Sequence, residues 1–138
     1  MSLEILVFDS QDQFKITSVE RNVDTAFIYM EGQTKSSICP YCSAASSAVH
    51  SRYLRTIKNL PAFGNKVCLR LNTRKFYCSN QDCDRKLFAE RFDGHFARYK
   101  RITDRLRGKL LKIALLTGGN AGEKLCKTLN ILVSSSTL

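Results

Sequence analysis

Four cysteines carry the most specific chemistry that can be read from this chain. Cys39 and Cys42 stand in "CPYC", Cys78 and Cys83 in "CSNQDC", and 35 residues separate the two pairs. Thiolates are soft donors that hold zinc tetrahedrally, and a C-x-x-C turn lets two sulfurs reach one ion while backbone amides point at them. A second pair must come back to the same place. The spacing C-x2-C-x35-C-x4-C allows this if the intervening segment is an antiparallel hairpin, which is the arrangement of a zinc ribbon. Four thiolates fill the coordination sphere and leave no position for an activated water, so the expected cofactor is one structural zinc ion and no catalytic residue is assigned. Binding would contribute on the order of 10 kcal/mol to folding a small module.

The remaining candidates for ligation are read as packing or surface residues. Cys68 falls mid-strand among basic neighbours, Cys126 falls within a short helix, and neither has a paired cysteine nearby. His50 and His95 are solitary. A C-x-x-C motif can also be a redox dithiol, but that motif opens a helix after a strand, whereas here it precedes β-rich sequence and has a partner pair.

Elements that must position these sulfurs are visible on both sides of them. "FKITSVERNVDTAFIYME" (14–31) reads as two strands around the turn "RNVD", an amino-terminal hairpin. "VHSRYLRTIKNL" (49–60) and "KVCLRLNTRKFYC" (66–78) read as a second hairpin, with "PAFGN" as a five-residue loop. In its second strand Val67, Leu69, Leu71 and Thr73 share one face, and Lys66, Cys68, Arg70, Asn72 and Arg74 the other. One face is core and the other is basic. From about Arg98 to Leu116 the period changes: Ile102, Leu106, Leu110 and Ile113 follow a helix face, with Arg101, Arg105, Lys109 and Lys112 as a basic stripe beside it. "TGGN" stops that helix, a second runs over Ala121–Leu129 with Asn130 as its left-handed exit, and Ser134 caps a third that the end of the sequence cuts short. The fold class expected is α+β: an N-terminal β-hairpin over 1–35, a zinc-ribbon-like β module over 36–95, and a helical, truncated helix-turn-helix segment over 96–138.

Charge divides the chain unevenly. Residues 1–48 hold three basic and six acidic groups, net −3, while the remainder holds 19 basic and six acidic, net +13. A polyanion suits such a surface, because each neutralised phosphate releases condensed counterions. No signal peptide or membrane span is legible, so a cytoplasmic location and no membrane partner are expected. In a reducing compartment spaced cysteines serve metals more often than disulfides.

The closing segment "AGEKLCKTLNILVSSSTL" has helix-turn-helix spacing: small Ala121, apolar Leu125 and Leu129, a turn at Asn130, then a capped start at Ser134. Together, "CPYC", "HSRYLRTIKNLP", "VCLRLNTRKFYCSNQDCDRKLFAERF" and "GGNAGEKLCKTLNILVSSSTL" resemble, in order over about 36–138, the amino-terminal region of ISL-three family insertion-sequence transposases. The resemblance implies a zinc-binding domain and a helix-turn-helix that bind double-stranded DNA at element ends, with the nuclease domain in a later part of the protein. It carries the metal role onto Cys39, Cys42, Cys78 and Cys83. Phosphate contacts fall to Arg52, Arg55, Arg70, Arg74, Lys75, Arg101, Arg105, Lys109 and Lys112, and base reading to the stub of the third helix at Ser135 and Thr137. Ser43 stands where the family has Gly after the first knuckle. Asp82, Asp84, Glu90, Asp93 and Asp104 form no catalytic constellation and are read as surface charge or caps, so this stretch is expected to bind DNA without cutting it. A stand-alone zinc-ribbon regulator is the alternative, and self-association is left open.

Overall fold

The computed structural model describes residues 13–92 and 101–131. It is a mixed β-sheet followed by two helices, an α+β fold. Strands β1 (Phe14–Arg21) and β2 (Thr25–Gly32) form the expected first hairpin. Asn22 closes its turn, since its Oδ1 accepts from the Asp24 and Thr25 amides at 3.3 and 3.0 Å. Short strands β3 (Ser37–Ile38) and β4 (Ala45–Ser46) pair with each other around the first cysteine pair. The long hairpin follows as β5 (Val49–Ala62) and β6 (Asn65–Tyr77), and β7 (Leu87–Ala89) adds to the end of β6.

The sheet order is β1-β2-β6-β5, so the first hairpin is hydrogen-bonded into the same sheet as the second. Its link is parallel: β2 runs beside β6 from Thr25↔Lys66 to Glu31↔Asn72. Alternation along β6 buries Val67, Leu69, Leu71 and Thr73 as expected, against Phe14, Ile28, Met30, Ile57 and Phe92. The burial pattern then slips by one residue, because Arg74 is buried next to Thr73 and Phe76 follows in the new phase.

The long hairpin departs from the expected five-residue loop. Its strands continue to Ala62 and Asn65, leaving a two-residue turn at Phe63 and Gly64 with φ of 51° and 76°. Positive φ at both central positions is what a right-handed strand twist demands of a two-residue turn. Pro61 has no N–H to give the ladder, and the pairing is correspondingly irregular between Asn59 and Ala62.

Helix α1 spans Asp104–Thr117 and α2 spans Gly119–Thr128, with Gly118 alone between them at φ 75°. The start of α1 corrects the sequence reading. Residues 98–100 lie outside the described residues, and 101–103 are not helical: Ile102 bridges to Lys58, whose N–H donates to the Arg101 carbonyl and whose carbonyl accepts from the Thr103 amide. Thr103 then caps the helix by accepting from the Leu106 amide at 3.2 Å. Arg101 therefore precedes the basic stripe of the helix rather than belonging to it. The exit of α2 is as expected: Asn130 has φ 62°, and the Ile131 amide reaches back to the Cys126 carbonyl at 2.7 Å. That is a Schellman closure, and its apolar partners Ile131 and Cys126 are buried with Leu106 and Leu110. The third helix from Ser134 lies outside the described residues.

Candidate metal centre and cationic surface

Both cysteine pairs sit on loops that β-structure brings together. Cys39 and Cys42 lie on the turn between β3 and β4, and Cys78 follows directly on β6 with Cys83 beyond it. The β5–β6 hairpin does what the 35-residue spacing required, returning the second pair to the first. The four sulfurs all lie within 4.8 Å of one another, with Cys39–Cys83 at 4.0 Å and Cys42–Cys78 at 3.4 Å. Four sulfurs around one tetrahedral zinc would be about 3.8 Å apart, given a bond of about 2.3 Å. The donor set and its spacing fit one zinc ion.

The loops hold this geometry through their backbones. The Cys39 amide donates to the Ala44 carbonyl and the Ser43 amide to the Cys39 carbonyl, both at 2.8 Å. Ser43 pays for this tight turn with φ 63°, the left-handed region that suits Gly, which explains physically why Gly would be the easier residue there. On the second loop the Cys78 amide donates to the Lys86 carbonyl at 2.8 Å, and the Ser79 hydroxyl crosses to the Ala45 carbonyl at 2.8 Å, stitching the two loops together. Beneath the sulfurs, Phe76 and Phe88 stack at 5.6 Å between centroids and are buried with Cys39.

Electrostatics describe a site made for a cation. The Ala44 amide points at the Cys42 sulfur and, against desolvation, draws its thiol down to about 7. At Cys78 the Asn80 amide acts most strongly and lowers the value, but desolvation and the three neighbouring sulfurs together push it up to about 12. Cys83 is raised as well: the Arg85 amide lowers it, while desolvation and the neighbouring Cys42 outweigh that. One thiol ionises readily and its neighbours then resist. A divalent cation among them removes that conflict. The redox arrangement is not present, since "CPYC" lies between two short strands and opens no helix. Cys126 is buried in the helical cluster, as a packing residue should be, and Cys68 is half-buried on β6 with burial raising its thiol.

The structure separates the expected phosphate-contacting residues into different environments. Pairing places Arg70 opposite Thr56, and Cys68 opposite Lys58, so Arg52, Lys58, Lys66 and Arg70 share the sheet face away from the core. Arg52 and Lys58 are exposed there. Lys58 was missed by sequence reasoning, although the period-two alternation read along β6 would have found it if applied to β5. Arg70 is half-buried with its guanidinium 5.1 Å from the Phe27 ring centroid, and its Nε is enclosed without a hydrogen-bond partner. Arg55 lies opposite Leu71 and is half-buried. Lys75 is exposed, with its ammonium 5.4 Å from the Tyr53 ring. Lys109, Lys112 and Arg101 are exposed, and Arg105 is half-buried. Ser135 and Thr137 lie outside the described residues, as do His95 and Asp93.

Arg74 and Glu90 overturn the surface reading. Glu90 is buried and takes Arg74 in a two-pronged contact, Nη2 to Oε2 at 2.8 Å and Nε to Oε1 at 3.2 Å. The same Oε1 accepts the Arg74 amide at 2.9 Å. A carboxylate already satisfies this guanidinium, so Arg74 is a structural cation and Glu90 is neither a cap nor surface charge. The pair also packs close to Gly32, where an added Cβ would meet Glu90 Oε2 at 3.1 Å, Arg74 Nη2 at 3.3 Å and Phe92 at 3.3 Å.

Comparison with known proteins agrees with this geometry. Residues 35–83, which contain all four sulfurs, match the family described as the zinc-finger of transposase IS204/IS1001/IS1096/IS1165. The chain is also similar to the transposase for insertion sequence element IS1001 of Bordetella parapertussis, at 33% identity over 82 residues, 59% of this chain and 19% of that protein. It thus spans about a fifth of the relative's length. No solved structure matches. Residues 35–83 are a transposase-type zinc finger with a four-cysteine metal site. Among the described residues no helix is long and apolar enough to cross a membrane.

Proposed function

We propose that this protein is a DNA-binding portion of an insertion-sequence transposase, in which the zinc-held loops brace the long hairpin and its cations meet the phosphates of the element's ends. The observation that carries the reading is that the stretch matching a transposase zinc finger is also the stretch whose four sulfurs converge, directly at the base of a hairpin bearing Arg52, Lys58 and Arg70. Arg101, Lys109 and Lys112 are further exposed cations on the helical segment, which the Lys58–Ile102 bridge attaches to β5. Such contacts hold a duplex in position and carry little sequence information. Base reading falls to the helix-turn-helix continuation around Ser135 and Thr137. The role is binding, and strand cleavage belongs to a part of the transposase other than this chain.

The test is fluorescence anisotropy of a labelled duplex with zinc-loaded protein between 50 and 200 mM salt. Six phosphate contacts would weaken binding by about 10³-fold over that range. Lys109→Glu combined with Lys112→Glu should reduce the salt slope by about two. An affinity indifferent to salt would refute phosphate contact.

A further inference from the structure

One end of the sheet carries two apolar side chains that the fold leaves almost completely in water. Phe63, at the apex of the long hairpin, is 98% exposed, and Val23, at the apex of the first hairpin, is 96% exposed. The parallel pairing that begins at Thr25↔Lys66 sets these two turns side by side. They are tied together there: the Lys66 amide donates to the Asp24 carbonyl at 2.8 Å, and the Lys66 ammonium meets Asp24 Oδ2 at 3.1 Å. A third element fixes the same tip, because Asn130 at the end of α2 donates through Nδ2 to the Gly64 carbonyl at 2.6 Å. The apex is therefore buttressed on two sides rather than dangling.

Phe63 is a costly residue for this position. Its φ of 51° is one that Asn or Gly adopts with less strain, and Asn-Gly is the preferred pair for such a turn. Its ring gains nothing from burial. Two penalties at one residue, on a braced apex flanked by cationic surface, call for a compensating contact outside the chain. Exposed Arg21 and Lys127 lie within a few residues of Asp24 and Asn130, the two anchoring points of this tip, and exposed Lys58 lies on the strand leading to it. An apolar wedge framed by cations is the combination by which proteins enter the minor groove and partly unstack a base step.

We propose that Phe63, with Val23 beside it, is a wedge that inserts between base pairs of the bound duplex and kinks it. The inference rests on the DNA-binding reading above. Phosphate contacts by Arg52, Lys58 and the α1 lysines would hold the duplex against the hairpin, and the apex would then deform it.

The experiment uses the full zinc-loaded chain with a duplex of about 30 base pairs, end-labelled for energy transfer and carrying 2-aminopurine in one strand. Wild-type protein should shorten the end-to-end distance by a bend within about 20 to 90° and brighten 2-aminopurine through unstacking. Phe63→Asn suits the turn better than Phe, so its zinc content and melting temperature should be at least those of the wild type. It should retain the salt slope of binding while abolishing the bend and the fluorescence rise. Binding without bending by the wild type, or bending that persists in Phe63→Asn, overturns the wedge and leaves DNA binding standing. Absence of duplex binding at 50 mM salt overturns both. If Phe63→Asn instead abolishes binding to anionic vesicles or self-association while duplex bending is unchanged, the apex serves a membrane or a second copy and the wedge is wrong.

Discussion

The two ends of the long hairpin are secured by different physics. At the base, the loops around Cys39, Cys42, Cys78 and Cys83 have, among the described residues, Phe76 and Phe88 as their buried apolar floor, and they converge on four thiols spaced to share one metal ion. At the other end the helices dock through Leu106, Leu110, Cys126 and Ile131, with Leu60, Ile102 and Ile113 around them, and through polar clasps at Thr103 and Asn130. Between the ends lies a conventional sheet core of Phe14, Met30, Ile57, Leu69 and Leu71. The chain thus divides the work: four thiols that fit one zinc ion secure one end, and side-chain packing secures the other.

Removing the metal should separate the behaviour of the two ends most. Chelation, or Cys39→Ala, should forfeit on the order of 10 kcal/mol of binding free energy. Hydrogen exchange should then show protection lost at residues 37–46 and 78–88 while the central pairing of β2 with β6 keeps its amides. Uniform loss across the sheet and helices would mean that the ends are not independent. Next in size is Glu90→Ala, which strands a buried guanidinium and should cost about 3 to 5 kcal/mol in a urea melt. Replacing Arg74 and Glu90 together by Met and Leu should recover most of that loss, because the penalty comes from the unpaired charge and not from missing attraction.

At the packed end, Leu110→Ala should cost about 2 to 5 kcal/mol and loosen α1 and α2, with one zinc per chain still found by elemental analysis. Zinc loss in that variant would show the two ends to be coupled. The smallest effect is expected at the first cysteine loop. Ser43→Gly removes a left-handed strain of about 1 to 2 kcal/mol, of which the extra freedom Gly has when unfolded takes back about 0.4 to 1 kcal/mol, so a small net stabilisation is expected. A thermal melt of the zinc-loaded protein resolves a change of that size.

How far sequence could anticipate these features depended on whether the signal was local. The four ligands were legible because metal coordination constrains residue type and spacing, and the hairpin between them because alternation survives along Val67, Leu69 and Leu71. Arg74 shows where the alternation argument fails: it occupies a position in phase with Arg70, but the strand's burial pattern shifts beside Thr73 and a distant carboxylate completes it. Nothing near Glu90 in sequence announces that partner. The parallel contact of β2 with β6 was equally silent, since pairing between strands so far apart leaves no periodic trace in either. The start of α1 was within reach, because Thr103 followed by Asp104 is an ordinary capping pair that the apolar spacing from Ile102 obscured. The two-residue turn was missed because Pro61 looks like the beginning of a loop, and only the pairing of Ala62 with Asn65 reveals it as strand.

The parallel strand contact has a consequence for synthesis. As the chain leaves the ribosome, β1 and β2 can close at once, yet the inner edge of β2 must wait until β6 emerges, after both the first thiol pair and all of β5. During that interval Ile28 and Met30 have no cover from β6, and an open row of amides and carbonyls can recruit a neighbouring nascent chain. Expression yield should therefore respond to translation speed across residues 33–72 more than to anything done to the helices.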